Sequence, residues 1–149
     1  MDILFFNILH YFFIGAGGIC VALILYGLSK MNRMLILSGL FYYSFLPIIG
    51  ELMGYIFDKS IHHLLFICLF VCQMILASIK FQAVDDTLVI FSKFAVRLIA
   101  CFIVINAMAA VIVLILSRDI PTIFGIYHVI IAVALVLPFI KRFKLSRQK

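Results

Sequence analysis

Apolar residues run along this chain in five long blocks separated by short polar breaks. The first block extends from Ile3 to Leu28 and contains no Asp, Glu, Lys or Arg. The second, Met34 to Phe57, holds one ionisable acid, Glu51. The third runs from Ile61 to Ile79, the fourth from Leu98 to Ser117 and the fifth from Ile120 to Ile140. A helix rises about 1.5 Å per residue, so about 20 apolar residues cross a hydrocarbon core of about 30 Å. Backbone amides in lipid must pair within the protein, and blocks of this length do so as helices. The pattern predicts an all-α polytopic membrane protein with five transmembrane helices.

The segment between the third and fourth blocks reads differently. Phe81, Val84, Leu88, Phe91, Ala95 and Leu98 recur at three- and four-residue steps, while Gln82, Asp85, Asp86, Ser92, Lys93 and Arg97 fall largely elsewhere on the wheel. This is an amphipathic pattern. Its acids come early and its bases late, which suits the helix dipole. Lys80–Arg97 is expected to lie at the membrane interface or to extend the fourth span inward.

Composition supports the membrane assignment. Of the 149 residues 67% are apolar and 12% charged, and the mean hydropathy is +1.32. Soluble domains carry about a quarter charged residues, and a soluble fold of this size could not bury so much hydrocarbon. Four Cys are too few for a disulfide scaffold, and sixteen Phe with six Tyr exclude disorder.

Charge placement predicts orientation. With five crossings, ten of the twelve basic residues share one side: Lys30, Arg33, Lys80, Lys93, Arg97, Lys141, Arg142, Lys144, Arg147 and Lys149. Lys59 and Arg118 lie on the other. The positive-inside rule then puts the N-terminus outside and the C-terminus in the cytoplasm, and a bacterial inner membrane fits this compact topology. The first block is too long for a cleavable signal peptide and lacks a basic start. No lipidation signature is present. The basic tail 141–149, with Lys141, Arg142, Lys144, Arg147 and Lys149, is expected to face anionic lipid headgroups or a cytoplasmic partner. Nucleic acid binding is not expected of so short a tail.

The chain reads as one helical-bundle domain. Its short turns predict sequential antiparallel neighbours. Small residues mark candidate packing faces: Gly15 and Gly18, within a run that includes Ala16, Gly17 and Ala22, and the Gly50/Gly54 pair at GxxxG spacing. Such residues let helix backbones approach in lipid. Cys20, Cys68, Cys72 and Cys101 all fall in predicted spans, make no CxxC, and read as packing residues.

Ionisable groups at bilayer depth mark a site or a buried pair. His10, Glu51 and His128 qualify, with His62 and His63 at the entrance to the third span. Counted from their outer helix ends, His10, Glu51 and His128 each lie about 10 Å deep, in the outer half of the bilayer. Asn106 is the nearest further polar group. Pro47 precedes Glu51 by one turn and frees a backbone carbonyl. Three chemistries fit this set. The first is haem b or quinol binding, with His10 and His128 as axial ligands. The second is a proton or ion relay centred on Glu51, and the third a metal site of His10, His128 and Glu51 with His62 or His63. The alternative is a hydrogen-bonded group that only fixes helix register. No catalytic motif, phosphate loop or HExxH is present. The leading expectation is therefore a non-enzymatic membrane subunit that anchors, senses or scaffolds in a larger or homo-oligomeric assembly. Respiratory, secretion, phage-defence and immunity complexes are examples of such assemblies.

Overall fold

The computed structural model describes residues 3–30, 32–78, 93–116 and 120–146, and the side chains within 10–30, 32–57, 59–78, 97–115 and 120–137. Among them the ordered elements are all helical. Helix α1 spans Ile3–Ser29, α2 Arg33–Asp58, α3 Ile61–Ser78 and α4 Lys93–Val111. A π-helical turn, Ile112–Leu116, continues α4, and α5 spans Thr122–Ser146. Helices α1 to α4 each hold a stretch long and apolar enough to cross a membrane, and α5 holds the shorter apolar stretch Thr122–Leu137. The expected amphipathic segment falls mostly on residues 79–92, outside the described residues; its end, from Lys93, begins α4. Tail residues Lys141, Arg142 and Lys144 belong to the last turns of α5, while Arg147 and Lys149 lie outside the described residues.

The turns are short because their ends are well capped. The Asn32 side chain accepts a hydrogen bond from the Leu35 amide at 3.2 Å and starts α2. Lys59 ends α2 in a left-handed conformation (φ 58°, ψ 21°), its amide donating to the Tyr55 carbonyl at 3.0 Å. Such tight turns reverse the chain, so α1, α2 and α3 run antiparallel in sequence. Packing is most extensive between α2 and α3, then between α1 and α2 and between α4 and α5. Helix α1 also packs on α5, and a thin seam between α3 and α4 completes the circuit.

The distribution of side chains is inverted relative to a soluble protein. Ile19 and Ile115 are each 73% exposed, whereas Ser44, Gln73 and Asn106 are fully buried. Apolar side chains face outward and amides inward, as a lipid solvent requires. The apolar core is in two parts. One, toward the end that holds the α1–α2 turn, gathers Ile24, Leu40, Phe102, Ile131 and Leu135. The other, toward the end that holds the Lys59–Ser60 turn, gathers Phe66, Phe70, Ala109 and Val113.

Glycines are used unequally. A Cβ on Gly39 would lie 2.6 Å from Ile24 Cγ1 and 3.2 Å from the Cys20 carbonyl, so this glycine sets the close approach of α2 to α1. Gly18 is packed beneath the Tyr127 hydroxyl. Gly15 and Gly50 are exposed, with nothing of a neighbouring helix among the described residues within 4 Å of their Cβ positions. Among the described residues, Gly39, Gly18 and Gly54 are close-packed glycines of α1 and α2, and this pair is not.

Gly39→Val is expected to destabilise the bundle by about 1–3 kcal/mol through overpacking. Gly15→Ala and Gly50→Ala are expected to stay within about 0.5 kcal/mol of the parent. Reversible unfolding in mixed detergent micelles, followed by circular dichroism, measures all three.

Candidate functional site

Five polar residues from four helices meet in the middle of the bundle. Tyr43 and Ser44 come from α2, Gln73 from α3, Asn106 from α4 and His128 from α5. All five are buried. The Asn106 amide nitrogen donates to Gln73 Oε1 at 2.8 Å and to the Phe102 carbonyl at 2.9 Å. Gln73 Nε2 donates to Ser44 Oγ at 3.0 Å, and the Ser44 hydroxyl donates to the Leu40 carbonyl at 2.7 Å. On the other side, His128 Nδ1 lies 3.0 Å from Asn106 Oδ1.

Two backbone carbonyls set the direction of this chain. The carbonyls of Leu40 and Phe102 only accept, so Ser44 must donate to the first and the Asn106 nitrogen to the second. With both hydrogens of that nitrogen engaged, Asn106 Oδ1 faces His128 as an acceptor. His128 is therefore the Nδ1–H tautomer on this side. Every bond points the same way: His128 to Asn106 to Gln73 to Ser44 to Leu40. The Tyr43 hydroxyl sits 3.5 Å from both nitrogens of His128, across the ring edge between them, at the outer limit of a hydrogen bond. Since Tyr43 and Ser44 are adjacent on α2, the belt returns to the helix on which it starts.

Apolar rings enclose the imidazole. Phe70 stacks on His128 with centroids 5.2 Å apart and planes 26° apart, and Phe66 stacks on Phe70 in turn. Tyr43 meets His128 edge-on at 5.1 Å. Asn106, Phe70 and Tyr43 thus close three approaches to His128, which is only 3% exposed. An iron at this imidazole would have to displace one of them, so the geometry does not suit a haem ligand.

A second polar group lies near the Lys59–Ser60 turn. Glu51 Oε2 is 2.5 Å from His63 Nδ1, and both side chains are largely buried. Gly54 makes the pairing possible: a Cβ there would come within 2.5 Å of the His63 ring. The second glycine of the GxxxG step thus accommodates an imidazole. His62 lies against His63 with centroids 4.1 Å apart, and its Nδ1 is 2.5 Å from Ser60 Oγ.

The structure therefore divides the residues singled out in the sequence. Glu51 meets His63, and His128 meets Asn106. Along α2, Glu51 is seven residues from Ser44, about 10 Å, so the two groups occupy different layers. His10 is half-buried on α1 with its ring edge-on to Tyr11 and joins neither group. Among the described residues no three His, Cys, Asp or Glu side chains come together as a metal site would need, so the four-ligand set of His10, His128, Glu51 and His62 or His63 is not assembled. Ser44 and Gln73 are additional members of the belt. Their signal in the sequence was modest: one hydroxyl and one amide, each near mid-span, at the depth of Asn106. Comparison with protein-family models, with curated proteins and with solved structures finds no match to this chain.

Replacing Asn106 with Leu would leave His128 Nδ1 and Gln73 Oε1 without their partners, at an expected cost of about 1–3 kcal/mol. A double-mutant cycle between Gln73→Leu and Asn106→Leu is expected to give a coupling energy of about 0.5–2 kcal/mol, read from equilibrium unfolding in micelles. A coupling of zero would mean that the amides do not bond in the folded protein.

Proposed function

We propose that this chain is a non-catalytic subunit of a membrane assembly. In this reading it crosses a bacterial inner membrane five times, with the N-terminus outside and the C-terminus in the cytoplasm. The observation that carries the reading is the saturation of the interior. Among the described residues every buried side-chain nitrogen and oxygen has a hydrogen-bond partner. A site that binds substrate or cofactor keeps polar groups in reserve for it; here those groups are spent on one another. The belt acts as a register device that holds four helices at fixed heights, a recognised use of buried polar groups.

Function then falls to the surface. Gly15 and Gly50 have open space above them, and small residues of this kind allow a neighbouring helix to come close in lipid. The occupant is a second copy of this chain or another membrane subunit. The basic residues of the tail supply a cytoplasmic surface for anionic lipid or a soluble partner. The fifth crossing is provided by α5, whose 25 residues rise about 37 Å as a helix.

Two measurements test this reading. A C-terminal fusion to a fluorescent protein should glow, and a C-terminal fusion to alkaline phosphatase should be inactive; the reverse result would mean an even number of crossings or the opposite orientation. Protein extracted into polymer-bounded lipid discs should have a mass of at least two 16.9 kDa chains or carry a stoichiometric partner. A lone monomer without a partner would overturn the assembly reading.

A further inference from the structure

Helix α2 has two faces with opposite surroundings. Gly39, Tyr43, Ser44 and Glu51 are buried against the other helices. On the reverse side Ser38, Tyr42, Phe45, Ile49, Leu52 and Ile56 recur at alternating steps of four and three residues. Ser38 is half-buried and the other five are exposed. A row at this 3.5-residue spacing keeps facing a neighbour about which the helix coils gently. From Ser38 to Ile56 it rises about 27 Å, most of the depth of a hydrocarbon core. Tyr42 sets this face apart from the other outward faces. It is 60% exposed, and its α-carbon is three residues from the middle of the span Arg33–Phe57, about 5 Å. Among the described residues no other exposed hydroxyl, amide, imidazole or charged group lies so near the middle of its span.

The neighbouring Tyr43 hydroxyl faces His128, but the hydroxyls of Ser38 and Tyr42 have no hydrogen-bond partner among the described residues. A serine can turn its hydroxyl onto a carbonyl of its own helix; a phenol at the end of a rigid ring cannot. In hydrocarbon an unpaired hydroxyl is costly, so the Tyr42 phenol needs a polar group carried by another helix. A second copy brings one at the right height. Copies inserted by the same charge rule share one orientation, so two α2 helices related by a two-fold axis along the membrane normal run parallel. Helical side chains lean toward the N-terminus and cover the turn before their own α-carbon. The Tyr42 phenol therefore reaches the level of Ser38, four residues and about 6 Å earlier. A parallel neighbour presents its own Ser38 at that level and on the same row. We infer that this chain pairs with a second copy through the outer face of α2. Phe45, Ile49, Leu52 and Ile56 pack along the seam, and Tyr42 of each copy bonds Ser38 of the other, so the bond forms twice. The inference rests on the assembly reading and deepens it by naming the occupant and the face.

Cross-linking in the membrane tests the face. In the full chain with Cys20, Cys68, Cys72 and Cys101 replaced by Ala, Phe45→Cys and Ile49→Cys should each give covalent dimers on oxidation with copper phenanthroline. Val104→Cys on α4 and Val133→Cys on α5, exposed on other faces, should stay monomeric. Energy transfer between copies labelled at the C-terminus, diluted stepwise in lipid vesicles, tests the hydroxyl pairing in the chain with its own cysteines. Tyr42→Phe keeps the ring and removes the hydroxyl; it should raise the dimer dissociation constant about five- to tenfold. Ser38→Ala should do the same, and the double variant should be no weaker than either single one. Dissociation of Tyr42→Phe equal to that of the parent would overturn the inference. Because this measurement leaves the cysteines in place, it decides alone should the cysteine-free chain fail to fold. An oligomer or a stoichiometric foreign partner, without cross-linking at 45 and 49, would overturn this face and leave the assembly reading standing. A lone monomer would overturn both.

Discussion

The arrangement of this protein depends on the hydrogen bonds that join Ser44, Gln73, Asn106 and His128. In lipid the apolar faces of helices gain little from meeting each other, because the hydrocarbon outside is as apolar as the side chains within. An amide or imidazole in that medium is costly unless another polar group meets it. Four helices each carry such a group to the same level, and each group satisfies the next. Sliding α3 or α4 by a turn would break two of these bonds at once, and sliding α2 or α5 would break one. The belt therefore defines the relative heights of α2, α3, α4 and α5, and the leucines, isoleucines and phenylalanines pack around an alignment already decided.

The membrane character, the limits of α1 to α3 and the short turns between them were legible in the sequence because each depends on local pattern, whereas α4 begins five residues before the expected Leu98 and α5 runs six residues past Ile140. The block from Met34 to Phe57 matches α2 to within a residue at either end, and Ile61–Ile79 matches α3 equally well. The residues that meet one another were less legible. Counting along the helices leads one to expect Glu51, His10 and His128 at one depth, yet Glu51 lies with His63 in a layer apart from the one that holds Ser44 and His128. Which of them face one another depends on rotation about each helix axis and on the order of helices around the bundle, and neither is written in a single chain's spacing. Glu51 has His63 as its partner because the two flank the same tight turn and Gly54 leaves space between them. The sequence placed both residues near that end without showing that one faces the other.

The same distinction explains the small residues. Gly39 drew no notice in the chain, yet it carries the close contact between α1 and α2. The conspicuous GxxxG step places one glycine under an imidazole and the other on the outside. Spacing says that two residues share a helix face; it does not say what that face meets. Here α2 turns Gly39, Tyr43 and Ser44 inward and leaves Gly50 uncovered, a rotation selected by the buried serine and tyrosine together.

The directional hydrogen bonding of the belt also bears on biosynthesis. Ribosomal synthesis delivers α2 and α3 before α4 and α5. Ser44 and Gln73 can pair as soon as the third helix enters the membrane, but the Gln73 carbonyl oxygen must then wait for Asn106, and Asn106 for His128. Until the last helix arrives, the nascent bundle carries an exposed acceptor at mid-membrane. It is in that interval that a membrane chaperone or a misplaced polar helix would compete for it.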